Sequence, residues 1–153
     1  MIKLDPGLAF GTGHHPTTKM CLELAETLIT PDSYVLDLGC GSAILSIAAA
    51  KLGAKNVVAL DIDKQAIKAS DQNVIHNDVS HIVTTSIGTI NDISTEKRYQ
   101  IIFANISSKI IIDILPKIGT YLDATGKAIL CGIVFDRKKE IEKHIKDNGF
   151  IIL

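Results

Sequence analysis

The chain has 153 residues, 46% of them hydrophobic and 22% charged, with a formal net charge of −1. That length can bury one sizeable core, and the near-neutral charge excludes a strong positive field aimed at nucleic acid. Cys21, Cys40 and Cys131 are odd in number and lack C-x-x-C spacing, which excludes a disulfide framework or a zinc site and points to a reducing cytoplasm.

Near the start, Phe10 and Thr12 lie in a stretch containing Gly7, Gly11 and Gly13, expected to fold over a bound ligand as a lid. Pro16-Thr17-Thr18 predicts the opening of a helix whose Cys21, Leu24, Ala25 and Leu28 share one face. An apolar strand over 34–38 runs into the turn Gly39-Cys40-Gly41 and then into an alanine-rich helix over 42–52. Gly53 stops that helix. A second strand over 57–61 ends in Asp61, and Asp63 is placed to cap a helix over 64–76. Further strands are expected over 82–85, 101–104 and 128–131, with helices over 107–122 and 136–148. Continuous apolar strands alternating with helices predict an α/β fold: an open, doubly wound, mostly parallel sheet with helices on both faces. Ligands of such sheets bind at the carboxyl ends of the strands. No apolar run approaches a membrane span, and no signal-peptide pattern starts the chain.

The turn after the first strand carries the chemistry. Its glycines admit a ligand close to the backbone, and the helix that follows offers unpaired N–H groups. A dinucleotide fingerprint needs G-x-G-x-x-G, but Ile44 stands at the third glycine position. The pattern is instead D-x-G-x-G-x-A, with Asp37 two residues before Gly39. An acid there does little for a pyrophosphate and favours a cofactor that carries a cationic amine and sulfonium. Asp61, roughly 20 residues past the glycine turn, is placed to accept hydrogen bonds from ribose hydroxyls. A phosphate-binding P-loop is excluded, because no Gly-Lys-Ser/Thr follows these glycines.

The run from Asp37 to Ala43 followed by Asp61 resembles the class I S-adenosylmethionine-dependent methyltransferases. The segment Leu4-Asp5-Pro6-Gly7-Leu8-Ala9-Phe10-Gly11-Thr12-Gly13-His14-His15-Pro16-Thr17-Thr18 is similar to the signature of one family among them, PrmA, which methylates the large-subunit ribosomal protein L11. The resemblance continues through Asp61-Ile62-Asp63, Ala104-Asn105-Ile106 and Gly132-Ile133, and departs at Ala43, where the family often has glycine. It implies a Rossmann-like methyltransferase fold, S-adenosyl-L-methionine as cofactor and a ribosomal large-subunit protein as substrate, with no direct nucleic-acid or membrane partner. It also implies that Thr18 contacts the methionine end of the cofactor.

Asn105 ends the fourth predicted strand, where a side chain with both donor and acceptor would face a transferring methyl group. Its alternative role is to cap the next helix, which Ser107 or Ser108 can do instead. Gly88 and Thr89 follow the third strand and can approach an adenine. His14 and His15 diverge as neighbours, and no metal site forms around them. For a lysine acceptor, the ammonium must first be neutralised, which costs roughly 4–5 kcal/mol at pH 7. No general base is evident, so catalysis by positioning through Asn105 is expected. The signature begins close to Met1 and the chain stops at Ile151-Ile152-Leu153 as a strand begins. Residues 1–153 are therefore expected to be one catalytic domain, with an N-terminal recognition domain and a final strand outside it. The alternatives are an RNA or small-molecule methyltransferase of the same fold, and a non-catalytic cofactor-binding fragment.

Overall fold

The computed structural model describes residues 1–5 and 15–153. Phe10 and Thr12, the expected lid residues, lie outside the described residues. The elements are α1 (Pro16–Leu28), β1 (Tyr34–Leu38), α2 (Ile44–Lys51), β2 (Asn56–Asp61), α3 (Lys64–His76), β3 (Val83–Ile87), β4 (Tyr99–Asn105), α4 (Ser108–Tyr121), β5 (Leu122–Cys131) and α5 (Lys138–Asp147). Short 3-10 turns span Ile90–Asp92 and Phe135–Arg137. No helix among the described residues is long and apolar enough to cross a membrane.

The five strands form one sheet in the order β3-β2-β1-β4-β5, and every pairing is parallel. Strand order reverses between β1 and β4, so the crevice beyond their carboxyl ends is the topological switch point. Alternate residues of each strand feed two cores. Val35, Val57, Ile101, Phe103 and Ile129 pack on one face with α1 and α2. Leu36, Leu38, Leu60 and Ile102 pack on the other with Ile111, Leu115 and Ile118 of α4.

Several boundaries differ from expectation for local reasons. In α1 the buried stripe is Thr18, Cys21 and Ala25, while Leu24 is exposed. The cap of α1 is His15, whose side chain accepts from the Thr17 amide. Helix α2 begins at Ile44 rather than 42, because the turn keeps a left-handed backbone through Ala43. Strand β5 starts six residues before the expected 128, since Leu122 already pairs with Tyr99. The register then shifts before Ile101 pairs with Lys127. Gly126 sits in that irregularity, where a Cβ would stand 2.9 Å from the Tyr99 carbonyl oxygen. Asp63 caps α3 as expected, accepting from the Gln65 amide at 2.8 Å.

Two asparagines one turn apart, Asn73 on α3 and Asn77 at its C-terminal cap, hold the first residues of the chain. Asn77 Oδ1 accepts from the Lys3 amide at 2.9 Å, and its Nδ2 donates to the Lys3 carbonyl at 2.6 Å and to the Asn73 carbonyl at 2.8 Å. Asn73 Oδ1 accepts from the Asp5 amide at 2.9 Å, while its Nδ2 donates to the Ser42 carbonyl at 3.0 Å. These side chains thus satisfy backbone groups of Lys3 and Asp5, and Asn73 joins that segment to the turn after β1. An Asn77→Ala variant should lose about 2–3 kcal/mol of stability in urea denaturation. A loss below about 0.5 kcal/mol would show that the clamp holds nothing.

Candidate functional site

Parallel register sets the geometry of the site. Leu38 pairs with Leu60 on one side and with Ala104 on the other. Gly39, Asp61 and Asn105 therefore stand side by side at the carboxyl edge of the sheet. They open on a cavity of about 1300 Å³ at the switch point. Thr18, Asp37, Gly39, Gly41, Asp61, Gly88, Thr89 and Asn105 all line it. The structure thus brings together every described residue that the sequence proposed for the site.

The turn that forms the floor is left-handed at alternate positions: Gly39 at φ +69°, Gly41 at +54° and Ala43 at +62°. Ala43 holds that conformation at a cost of about 1–2 kcal/mol. Gly39 has a second reason to be glycine besides the backbone approach expected from sequence. A Cβ there would lie 2.3 Å from Ile106 Cγ2. Gly132, at φ +81°, meets the same segment from β5, where a Cβ would lie 2.3 Å from the Ile106 carbonyl oxygen. The chain just past Asn105 is therefore clamped between two glycines.

Asp37 is only 1% exposed. It shares the face of β1 with Val35, so it points under the N-terminus of α2. Ser46 Oγ donates to Asp37 Oδ2 at 2.6 Å, and the Ser46 amide also donates to the carboxylate. Ser46 occupies the third position of α2, whose own cap residue Ala43 offers no side-chain bond. Asp37 thus caps α2 from the neighbouring strand, where the helix N-terminus favours a negative charge. Burial outweighs these bonds and pushes the carboxyl up to about 6, with the nearby Asp61 adding to the rise.

Asp61 is more open. Its Oδ2 accepts from the Gly41 amide at 2.9 Å and its Oδ1 from the Asp63 amide at 3.0 Å. A carboxylate has about four acceptor sites, so each oxygen keeps capacity for a hydroxyl donor. Asn105 Nδ2 donates to Thr18 Oγ1 at 3.5 Å across the cavity. The cap position of α4 is held by Ser107, whose side chain makes no capping bond. Thr89 caps the 3-10 turn after β3 in a reciprocal pair with Asp92, and the Thr89 amide donates to Asp92 Oδ2 at 2.8 Å. Its contribution to the cavity is therefore largely shape. Burial, aided by the nearby Asp37 and Asp61 carboxylates, pushes the Cys40 thiol up and leaves it unreactive.

Sequence reasoning missed the apolar wall formed by Ile106, Ile110 and Ile114, and also His15 and Gly132. Of these His15, Ile106 and Gly132 carried a signal, since they fall in the segments that bear the resemblance, while Ile110 and Ile114 carried none. Two carboxylates line the cavity, and among the described lining residues there is no lysine or arginine. Such a site repels a pyrophosphate and attracts a cation. No group of three His, Cys, Asp or Glu able to hold a metal occurs among the described residues.

The family model for ribosomal protein L11 methyltransferase (PrmA) matches residues 1–153. A ribosomal protein L11 methyltransferase of Desulforapulum autotrophicum is 42% identical over 153 residues, which is 100% of this chain and 50% of that protein. Another, of Ruminiclostridium cellulolyticum, is 43% identical over 150 residues, 97% of this chain and 48% of that protein. The crystal structure of a ribosomal protein L11 methylase from Lactobacillus delbrueckii subsp. bulgaricus matches with a TM-score of 0.86 at 34% identity, covering 99% of this chain and 76% of that one. The chain spans about half the length of the curated relatives it matches.

The buried carboxylate makes a stability prediction. Because the folded value of Asp37, about 6, lies above the ordinary 3.8, its ionisation opposes folding. The opposition is complete above pH 6 and fades as pH falls toward 3.8. Relative to wild type, Asp37→Asn should therefore look more stable at pH 8 than at pH 5, by about 1–2 kcal/mol in urea denaturation. A difference that does not change with pH would contradict a buried, titrating Asp37.

Proposed function

The chain belongs to the ribosomal protein L11 methyltransferase family, and from that premise we propose that its cavity binds S-adenosyl-L-methionine. We further propose that methyl groups pass there to lysine side-chain and N-terminal amines of a large-subunit ribosomal protein. The observation that carries this reading is the charge of the cavity: two carboxylates, one of them almost fully buried, and no lysine or arginine in the described lining. Asp37 would face the cationic part of the cofactor and Asp61 the ribose hydroxyls, with Gly88 and Thr89 beside the adenine and Thr18 beside the methionine end. When bound, the cofactor supplies an electrophilic methyl group.

The chain's own residues then have two tasks. The isoleucine wall excludes water and lowers the cost of presenting a neutral amine, since desolvation disfavours the ammonium. Asn105, steadied by Thr18, accepts an N–H of the amine through its carboxamide oxygen and aims the nitrogen lone pair at the cavity. No proton-accepting side chain is needed at the moment of transfer, because the amine arrives already neutral. We propose that the domain 1–153 carries this chemistry and that acceptor choice involves chain outside it. We also place the reaction in the cytoplasm, where ribosomal proteins are made.

Calorimetry with S-adenosylmethionine, its demethylated product and NAD tests the cofactor. The first two should bind and NAD should not; tighter binding of NAD, or no binding of the first two, overturns the reading. For the acceptor, Asn105→Ala should bind cofactor within a few-fold of wild type while methylating L11 at least tenfold more slowly. Methylation at the wild-type rate would remove the positioning role of Asn105.

A further inference from the structure

Ser46 stands apart in α2. The helix reads Ile-Leu-Ser-Ile-Ala-Ala-Ala-Lys, and Ser46 is its single uncharged polar residue, with 0% exposure. A serine inside a helix usually turns to solvent or bonds back to a carbonyl of the preceding turn. This one instead sends its hydroxyl hydrogen to Asp37 Oδ2 at 2.6 Å. The alanines at 48, 49 and 50 keep the helix surface low and let it lie close to the sheet. Among the described residues, the other titratable groups that interact with Asp37 are Asp61 at the end of β2, Cys21 on α1 and Cys40 in the turn. None of them is a cation, and Asp61 works against ionisation of Asp37. The donors that favour its charged form both belong to Ser46.

We propose that Ser46 is a positioning residue for cofactor binding: its hydroxyl keeps the Asp37 carboxylate ionised and fixed beneath the cavity that Asp37 lines, and so sets the acid limit below which the cofactor is lost. The proposal rests on the reading that the cavity takes S-adenosylmethionine. Removing the hydroxyl deletes a charge-assisted hydrogen bond to a buried carboxylate, while the amide remains. Ionisation of Asp37 then requires a higher pH. The consequence differs from that of a loosened helix, which would weaken binding equally at every pH.

The test uses the full chain and S-adenosylhomocysteine, which keeps the ammonium and is not turned over. Calorimetry from pH 5.5 to 9 should give a wild-type affinity that is flat above about pH 6.5 and falls about tenfold per pH unit well below 6. In Ser46→Ala the midpoint should move up by about one pH unit, with affinity at pH 9 within about threefold of wild type. Ser46→Thr, which retains the hydroxyl, should restore the wild-type midpoint. If the alanine variant does not fold, Ser46→Cys, similar in shape with a weaker donor, should show an upward shift of smaller size. An unchanged midpoint, or a loss of affinity uniform across pH, overturns the proposal. Carbon NMR titration of the Asp37 carboxyl in the ligand-free proteins should show the same upward movement and needs no cofactor. If wild type binds no S-adenosylhomocysteine at any pH, the cofactor reading falls, while this titration still judges Ser46 independently.

Discussion

Burial of the Asp37 carboxylate between sheet and helix governs much of the site. The parity of β1 decides it: with Val35 facing α2, Asp37 must face α2 as well, and it is nearly closed to solvent there. A charge in that place opposes folding unless donors surround it. The N-terminus of α2 supplies them through the amide and hydroxyl of Ser46. For the helix to reach that close its body must be slim, hence the alanines, and its start must be bent into place by three left-handed residues. Turn, helix composition and buried acid are consequences of one placement. What stability loses to this placement, ligand binding can use, because the negative site is fixed before any cation arrives.

Much of this architecture was legible in the sequence. Strands β1, β2 and β4 read as continuous apolar runs because both faces of the sheet are covered. Their last residues could be assigned to the site because parallel sheets bind at one edge. That rule gathered Asp61, Gly88 and Asn105 into one cavity with Asp37, which the pattern around the glycine turn had singled out. Local chemistry also identified the cap of α3, where Asp63 is an ordinary acceptor in an ordinary place.

What stayed hidden depends on neighbours distant in sequence. The start of β5 was missed because Asp123-Ala124-Thr125-Gly126 has the composition of a turn, and only pairing with Tyr99 draws Leu122 into the sheet. Thr18 is buried and Leu24 exposed, a choice set by how α1 lies on α2 rather than by helical period alone. His15 is an unusual cap, recognisable only once its ring is seen against Thr17. Ser46 reads as neutral filler in an alanine-rich helix until Asp37 is found beneath it. The wall of Ile106, Ile110 and Ile114 likewise depends on which side of α4 meets the switch point.

The glycine clamp on Ile106 links the fold to the kind of catalysis such a cavity can perform. Gly39 belongs to the turn after β1 and Gly132 follows β5, the strands on either side of β4. Each leaves too little room for a Cβ against Ile106. Ile106 is therefore met from both sides immediately after Asn105, at its side chain by Gly39 and at its backbone by Gly132, while Thr18 meets the Asn105 side chain from α1. A group that works by acid–base exchange needs a matched proton affinity and tolerates some movement. A group that works by alignment needs a rigid mount, because displacement at carbon falls off steeply once donor and acceptor leave the line. Asn105 has no proton to exchange near neutral pH, and in the positioning role proposed for it the contacts with Thr18 and at residue 106 would steady it. The close contacts on Ile106 are what a positioning mechanism would require of this fold, and at Gly132 they add to the left-handed backbone, φ +81°, as a reason for glycine.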